Sequence, residues 1–117
     1  MTKFPSYPVL LVDDEDTWLR SFSLALKSHG IDNILCCDDS TKVPGILAGT
    51  EVEVMAVDLA MPGMSGEELI DAVSATNPDI PILVITGMSQ VETAVQCIKR
   101  GAFDFFVKTN DKSSLVS

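Results

Sequence analysis

Positive charge is scarce in this chain. Its 117 residues carry 8 Lys and Arg against 17 Asp and Glu, a formal charge of −9. Gripping phosphate backbones needs clustered Lys and Arg, so direct nucleic-acid binding by this domain is excluded. Partners are expected among proteins and small phosphorylated molecules. Cysteine is also sparse: Cys36, Cys37 and Cys97. An odd number with two adjacent makes no disulfide framework, and no Cys-x-x-Cys or Cys/His spacing suggests zinc. Buried reduced thiols on a strand and a helix are expected instead. The single histidine, His29, falls near the end of a predicted helix and carries no expected chemistry. No apolar run approaches the roughly 18 residues of a membrane span. Met1-Thr2-Lys3-Phe4-Pro5 lacks the apolar core of a secretory signal. A cytoplasmic protein without membrane contact is expected.

What is present is ordinary for a globular domain: 46% hydrophobic and 21% charged residues. The length suits one domain over 1–117 with a single core. Short apolar runs alternate with amphipathic stretches, the pattern of a parallel α/β sheet. Strands are predicted over 9–12, 33–37, 52–57, 82–85 and 104–107. The first helix sets Leu19, Phe22 and Leu26 on one face and ends at Gly30. The second is weak and short, because Pro44-Gly45 sit early in it. The third opens on the capping box Ser65-Gly66-Glu67-Glu68 and turns Leu69, Ile70 and Val73 inward. A second box, Ser89-Gln90-Val91-Glu92, opens the fourth, which is expected to bury Val91, Ala94, Val95 and Ile98 and to close at Gly101. A fifth helix is expected to begin and to be cropped.

Two apolar runs stop at carboxylates: Val9-Leu10-Leu11-Val12 at Asp13-Asp14, and the run before Asp58. In an open α/β sheet ligands bind at the C-terminal ends of the strands. Three carboxylates converging there repel one another unless a cation joins them, and Mg²⁺ suits oxygen ligands. The other strand ends bring Thr86 and Lys108. The set suits phosphoryl chemistry. Asp58 can be a nucleophile that forms an acyl phosphate. Asp14 and Asp58 can hold Mg²⁺, which neutralises phosphoryl oxygens. Lys108 offers a point charge and Thr86 a hydroxyl donor.

The chain resembles a receiver (response-regulator) domain of bacterial two-component signalling. Asp13-Asp14 matches the acidic pair. The segment Asp58-Leu59-Ala60-Met61-Pro62-Gly63-Met64-Ser65-Gly66 matches the phosphoacceptor loop. Thr86-Gly87 matches the switch threonine and its small neighbour, and Gly101-Ala102-Phe103-Asp104-Phe105-Phe106-Val107-Lys108 matches the run leading to the lysine. The resemblance covers essentially the whole chain, and is nearest to receivers of enhancer-binding transcription activators. It implies a three-layer flavodoxin-like fold, a five-stranded parallel sheet in the order 2-1-3-4-5 with helices on both faces. It also implies a phosphoacceptor switch rather than an enzyme. A sensor histidine kinase or phosphotransfer protein would supply the phosphoryl group to Asp58. Mg²⁺ would rest on Asp14, Asp58 and the Ala60 backbone carbonyl, with Asp13 acting through water. Thr86 and Phe105 would be the switch residues, and the helix 4/strand 5 surface would pair two copies or meet an effector.

The sequence departs from the family pattern at two places. Thr109 stands where a proline usually follows the lysine, so the Lys108-Thr109 peptide is expected to be trans. Ala60 replaces a residue often polar, and neither its side chain nor that of Met88, at a second position flanking the attacking water's path in the resembled family, can orient that water. Plainer readings stand beside these. Asp13-Asp14 can be a helix N-cap region, Lys108 a solvated lysine, and Phe105 half-buried strand packing. Other classes are a receiver of a hybrid histidine kinase, an unphosphorylated pseudo-receiver, and a haloacid-dehalogenase-type phosphatase. Trp18 opposes the last, because it occupies the Thr/Val position of that family's motif.

Overall fold

A computed structural model of the chain describes residues 3–59, 61, 64–87 and 90–108. The elements run β1 (Val9–Val12), α1 (Asp16–Ser28), β2 (Ile34–Cys37), a 3₁₀ turn (Ser40–Lys42), α2 (Val43–Gly49), β3 (Val54–Asp58), α3 (Gly66–Thr76), β4 (Ile82–Thr86), α4 (Val91–Lys99) and β5 (Asp104–Val107). All neighbouring strands are parallel, in the order β2-β1-β3-β4-β5. This is the expected doubly wound sheet. The expected fifth helix falls outside the described residues.

Alternation along the strands divides the core into two layers. Leu10, Val12, Met55, Val57, Ile82 and Val84 face α2, α3 and α4. Val9, Leu11, Ala56 and Ile85 face α1, where Trp18, Leu19, Phe22 and Leu26 pack. Both faces of the central strands are thus covered, which is why their sequences read as continuous apolar runs. Phe105 belongs to the first layer and Phe106 to the second, so β5 follows the same alternation.

Helix boundaries follow local chemistry. Ser65 Oγ accepts from Glu68 N–H at 3.1 Å while Glu68 Oε1 accepts from Ser65 N–H at 3.3 Å, closing the capping box that starts α3. Leu69, Ile70 and Val73 are buried as expected. Gly30 (φ +88°) and Gly101 (φ +125°) follow α1 and α4 in backbone conformations that side chains resist. Pro44 lies in the first turn of α2, where a missing N–H costs nothing, so it starts that helix rather than weakening it.

Three expectations need correction. In α4 the inward residues are Ala94 and Cys97; Val95 and Ile98 are about two-fifths exposed, at 41% and 39%. Small side chains let this helix approach the sheet and leave the larger ones on its outer side. The N-cap of α4 is Gln90, which makes no side-chain cap bond; Ser89 of the expected second capping box lies outside the described residues. Cys36 is exposed, unlike Cys37 and Cys97, because it sits on the edge strand β2.

Candidate functional site

Parallel pairing in register brings the ends of β1, β3, β4 and β5 to one edge. Asp13 follows β1 directly, and its N–H donates to Cys37 carbonyl at 3.0 Å. Asp58 is the last residue of β3, opposite Ile85. Both are buried, at 1% and 4% exposure, whereas Asp14 points to solvent. Carboxylate oxygens of Asp13, Asp14 and Asp58 all lie within 4.8 Å of one another.

Lys108 closes the cluster from beyond β5. Its Nζ lies 2.9 Å from Asp13 Oδ2 and 3.5 Å from Asp58 Oδ2. Its backbone N–H donates to the Thr86 carbonyl at 2.7 Å, which ties residue 108 to the end of β4. Thr86 is fully buried, and its hydroxyl donates to the Gly87 carbonyl at 3.1 Å. Phe105 is half-buried against the α3/α4 layer.

Burial pushes the Asp13 carboxyl above its ordinary range, against the lowering effects of the Glu15 N–H and Lys108. Burial also pulls on Lys108, downward, but the carboxylates of Glu15, Asp13 and Asp58 together outweigh it and raise the ammonium. Lys108 is therefore a cation throughout the physiological range.

The donor set fits a hard divalent cation. Three carboxylate oxygens lie within 4.8 Å of one another, near enough to share one ion directly or through water, and oxygen-only ligation suits Mg²⁺. Asp13 Oδ2 is buried and meets the Lys108 ammonium as an ion pair rather than a directed hydrogen bond. Ala60, expected to add its carbonyl, lies outside the described residues, as do Met88 and Thr109 with its peptide bond.

Gly66 fixes the approach of α3 to this edge. A Cβ there would sit 2.7 Å from Leu59 Cδ2, 2.9 Å from Leu59 Cα and 3.3 Å from the Asp58 carbonyl. Just before α3, the Met64 carbonyl accepts from the buried Ser40 hydroxyl at 2.6 Å.

Two residues at the site escaped the sequence reading. Glu15 Oε1 lies 2.8 Å from Lys108 Nζ. The ring of buried Trp18 lies beneath the same ammonium, 4.9 Å from ring centroid to Nζ. The available signal was a glutamate at a helix N-cap, where shorter polar residues are favoured.

The fold is a doubly wound α/β domain with an acidic edge at the C-terminal ends of its strands, and comparison with known proteins gives the class. The sequence profile of the response regulator receiver domain matches residues 9–117. The chain belongs to this family. It is 30% identical over 107 residues to regulatory protein AtoC of Escherichia coli (strain K12), covering 92% of this chain and 23% of AtoC. It is 32% identical over 115 residues to transcriptional regulatory protein FixJ of Azorhizobium caulinodans, covering 96% of this chain and 53% of FixJ. The chain thus spans about a quarter of one curated relative and about half of the other. A response regulator receiver protein from Pseudomonas putida superposes with a TM-score of 0.82 at 33% identity, over 94% of this chain and 93% of that one.

Proposed function

We propose that this receiver domain, spanning 1–117, is a phosphorylation-controlled switch with Asp58 as its sole phosphoacceptor. The observation that carries the reading is the convergence of Asp13, Asp14 and Asp58 at one sheet edge, with Lys108 Nζ 3.5 Å from Asp58 Oδ2. A carboxylate oxygen of Asp58 attacks the phosphorus of a phosphohistidine on a sensor histidine kinase or phosphotransfer protein. The phosphorus–nitrogen bond breaks, its electron pair passes to the imidazole, and an acyl phosphate forms. Mg²⁺ bound by Asp14, Asp58 and the Ala60 carbonyl, with Asp13 through water, would neutralise phosphoryl oxygens. Lys108 adds a fixed positive charge beside the acceptor.

The switch follows from the new charge. The Thr86 hydroxyl turns from the Gly87 carbonyl toward a phosphoryl oxygen, Phe105 follows inward, and the α4–β5 surface changes. Val95, Ile98 and Phe103 are exposed on α4 and beside β5, which supports a homodimer or effector surface there. Self-phosphorylation and slow self-dephosphorylation are then the only chemistry of the domain. The similarity to AtoC and FixJ supports a transcriptional output, and a cytoplasmic setting goes with it.

Acetyl phosphate with Mg²⁺, followed by intact-mass measurement, tests the acceptor. One phosphoryl adduct is expected on the wild type and none on Asp58→Asn. An adduct of comparable yield on Asp58→Asn overturns the assignment.

A further inference from the structure

Glu15 occupies the N-cap of α1 yet makes no side-chain cap bond. Its carboxylate instead meets Lys108, 93 residues away, at 2.8 Å. Trp18, one turn into α1, lies under the same ammonium. The indole N–H of Trp18 is buried without a hydrogen-bond partner among the described residues. Such burial is unfavourable for a polar group, whereas a cation over an indole face is favourable. Phe22 packs at 4.8 Å against the ring and holds its tilt. The ammonium has three N–H donors. It stands 2.8 Å from Glu15 and 2.9 Å from Asp13, but 3.5 Å from Asp58.

We propose that Glu15 and Trp18 form a resting seat for the Lys108 ammonium, and that Glu15 competes for it with the phosphoryl group on Asp58. The competition rests on the phosphoacceptor reading above; the seat does not. Glu15 is then a positioning residue that slows acceptance. When phosphorus bonds to Asp58, its oxygens draw Lys108 off Glu15, and the charge over Trp18 shifts.

Trp18 is the only tryptophan, so its emission reports on this ring alone. Without a phosphoryl donor, Glu15→Gln is expected to change Trp18 emission, and the change should persist in an Asp58→Asn background. With acetyl phosphate and Mg²⁺, Glu15→Gln should accept the phosphoryl group about two- to fivefold faster than wild type, the range of a partly exposed ion pair. Glu15→Asp, which restores the charge, should return both readouts toward wild type. A purely structural role for Glu15 would give neither a faster rate nor rescue by charge. Wild-type emission together with a wild-type rate in Glu15→Gln overturns the proposal. A wild type that accepts no phosphoryl group overturns the competition and the phosphoacceptor reading together, and the emission change still decides the seat.

Discussion

Lys108 Nζ lies 2.9 Å from Asp13 Oδ2, so an ammonium from the end of β5 neutralises a buried carboxylate from the end of β1. Only a fifth or less of either side chain reaches solvent, at 19% and 2%. A contact this sheltered has measurable consequences for the fold as well as for the site.

Removing the ammonium by Lys108→Met should cost about 1–3 kcal/mol at neutral pH, the penalty for a buried charge left without its partner. The pH dependence follows from both groups. Lys108 is raised in the fold, so its contribution is whole below the ordinary lysine value of 10.5 and is lost as pH climbs through the raised value. Asp13 is raised by burial, so its ionisation weakens the fold as pH rises from the ordinary value of 3.8 through the raised one. The gap between wild type and Lys108→Met should therefore narrow on acidification, as Asp13 protonates, and again at strongly alkaline pH. Denaturant titrations at acid, neutral and alkaline pH measure it. A gap constant across pH would refute the pairing.

Millimolar Mg²⁺ should raise the melting temperature of the wild type by a few degrees. A ligand present at about ten times its Kd stabilises by about 1.4 kcal/mol, and the ion relieves repulsion among Asp13, Asp14 and Asp58. Asp14 is exposed, so Asp14→Ala should fold normally and lose most of this shift. An equal shift in that variant would move the metal elsewhere.

Gly66→Ala should lower stability by about 1–3 kcal/mol, the usual cost of overpacking a filled site. The added methyl meets the backbone of Leu59 as well as its side chain, so rotamer adjustment alone cannot absorb it. Because Leu59 follows Asp58, the same variant should slow phosphoryl acceptance. Unchanged stability in chemical denaturation would show that the loop yields freely.

The sheet was legible because each central strand reads as an apolar run and each run stops at a polar residue of the site. Asp13, Asp58, Thr86 and Lys108 could be placed together from that pattern alone. The face of α4 was only partly legible. Ala94 was placed inward correctly, but hydrophobicity favoured Val95 and Ile98 beside it over Cys97. Close approach of helix and sheet decides for the smaller residue. Cys36 was misjudged for a related reason: average burial of cysteine says nothing about an edge strand. Glu15 was invisible as a site residue, because its partner is remote in sequence and only the fold brings them together.

The phosphorylated state should be long-lived. Ala60 and Met88 stand two residues beyond Asp58 and two beyond Thr86, positions that flank the path of the attacking water in the family this chain resembles. Hydrolysis requires a water aligned with the phosphorus and a group to orient it or take its proton. A methyl and a thioether do neither well. Loss of a positioned acid–base group typically costs about 10²–10⁴ in rate. Ala60→Asn and Met88→Glu should therefore shorten the lifetime, and the double variant most. The measurement is decay of the phosphorylated protein after donor removal at fixed Mg²⁺. Wild type decaying as fast as the double variant would mean that these two apolar residues do not set the lifetime.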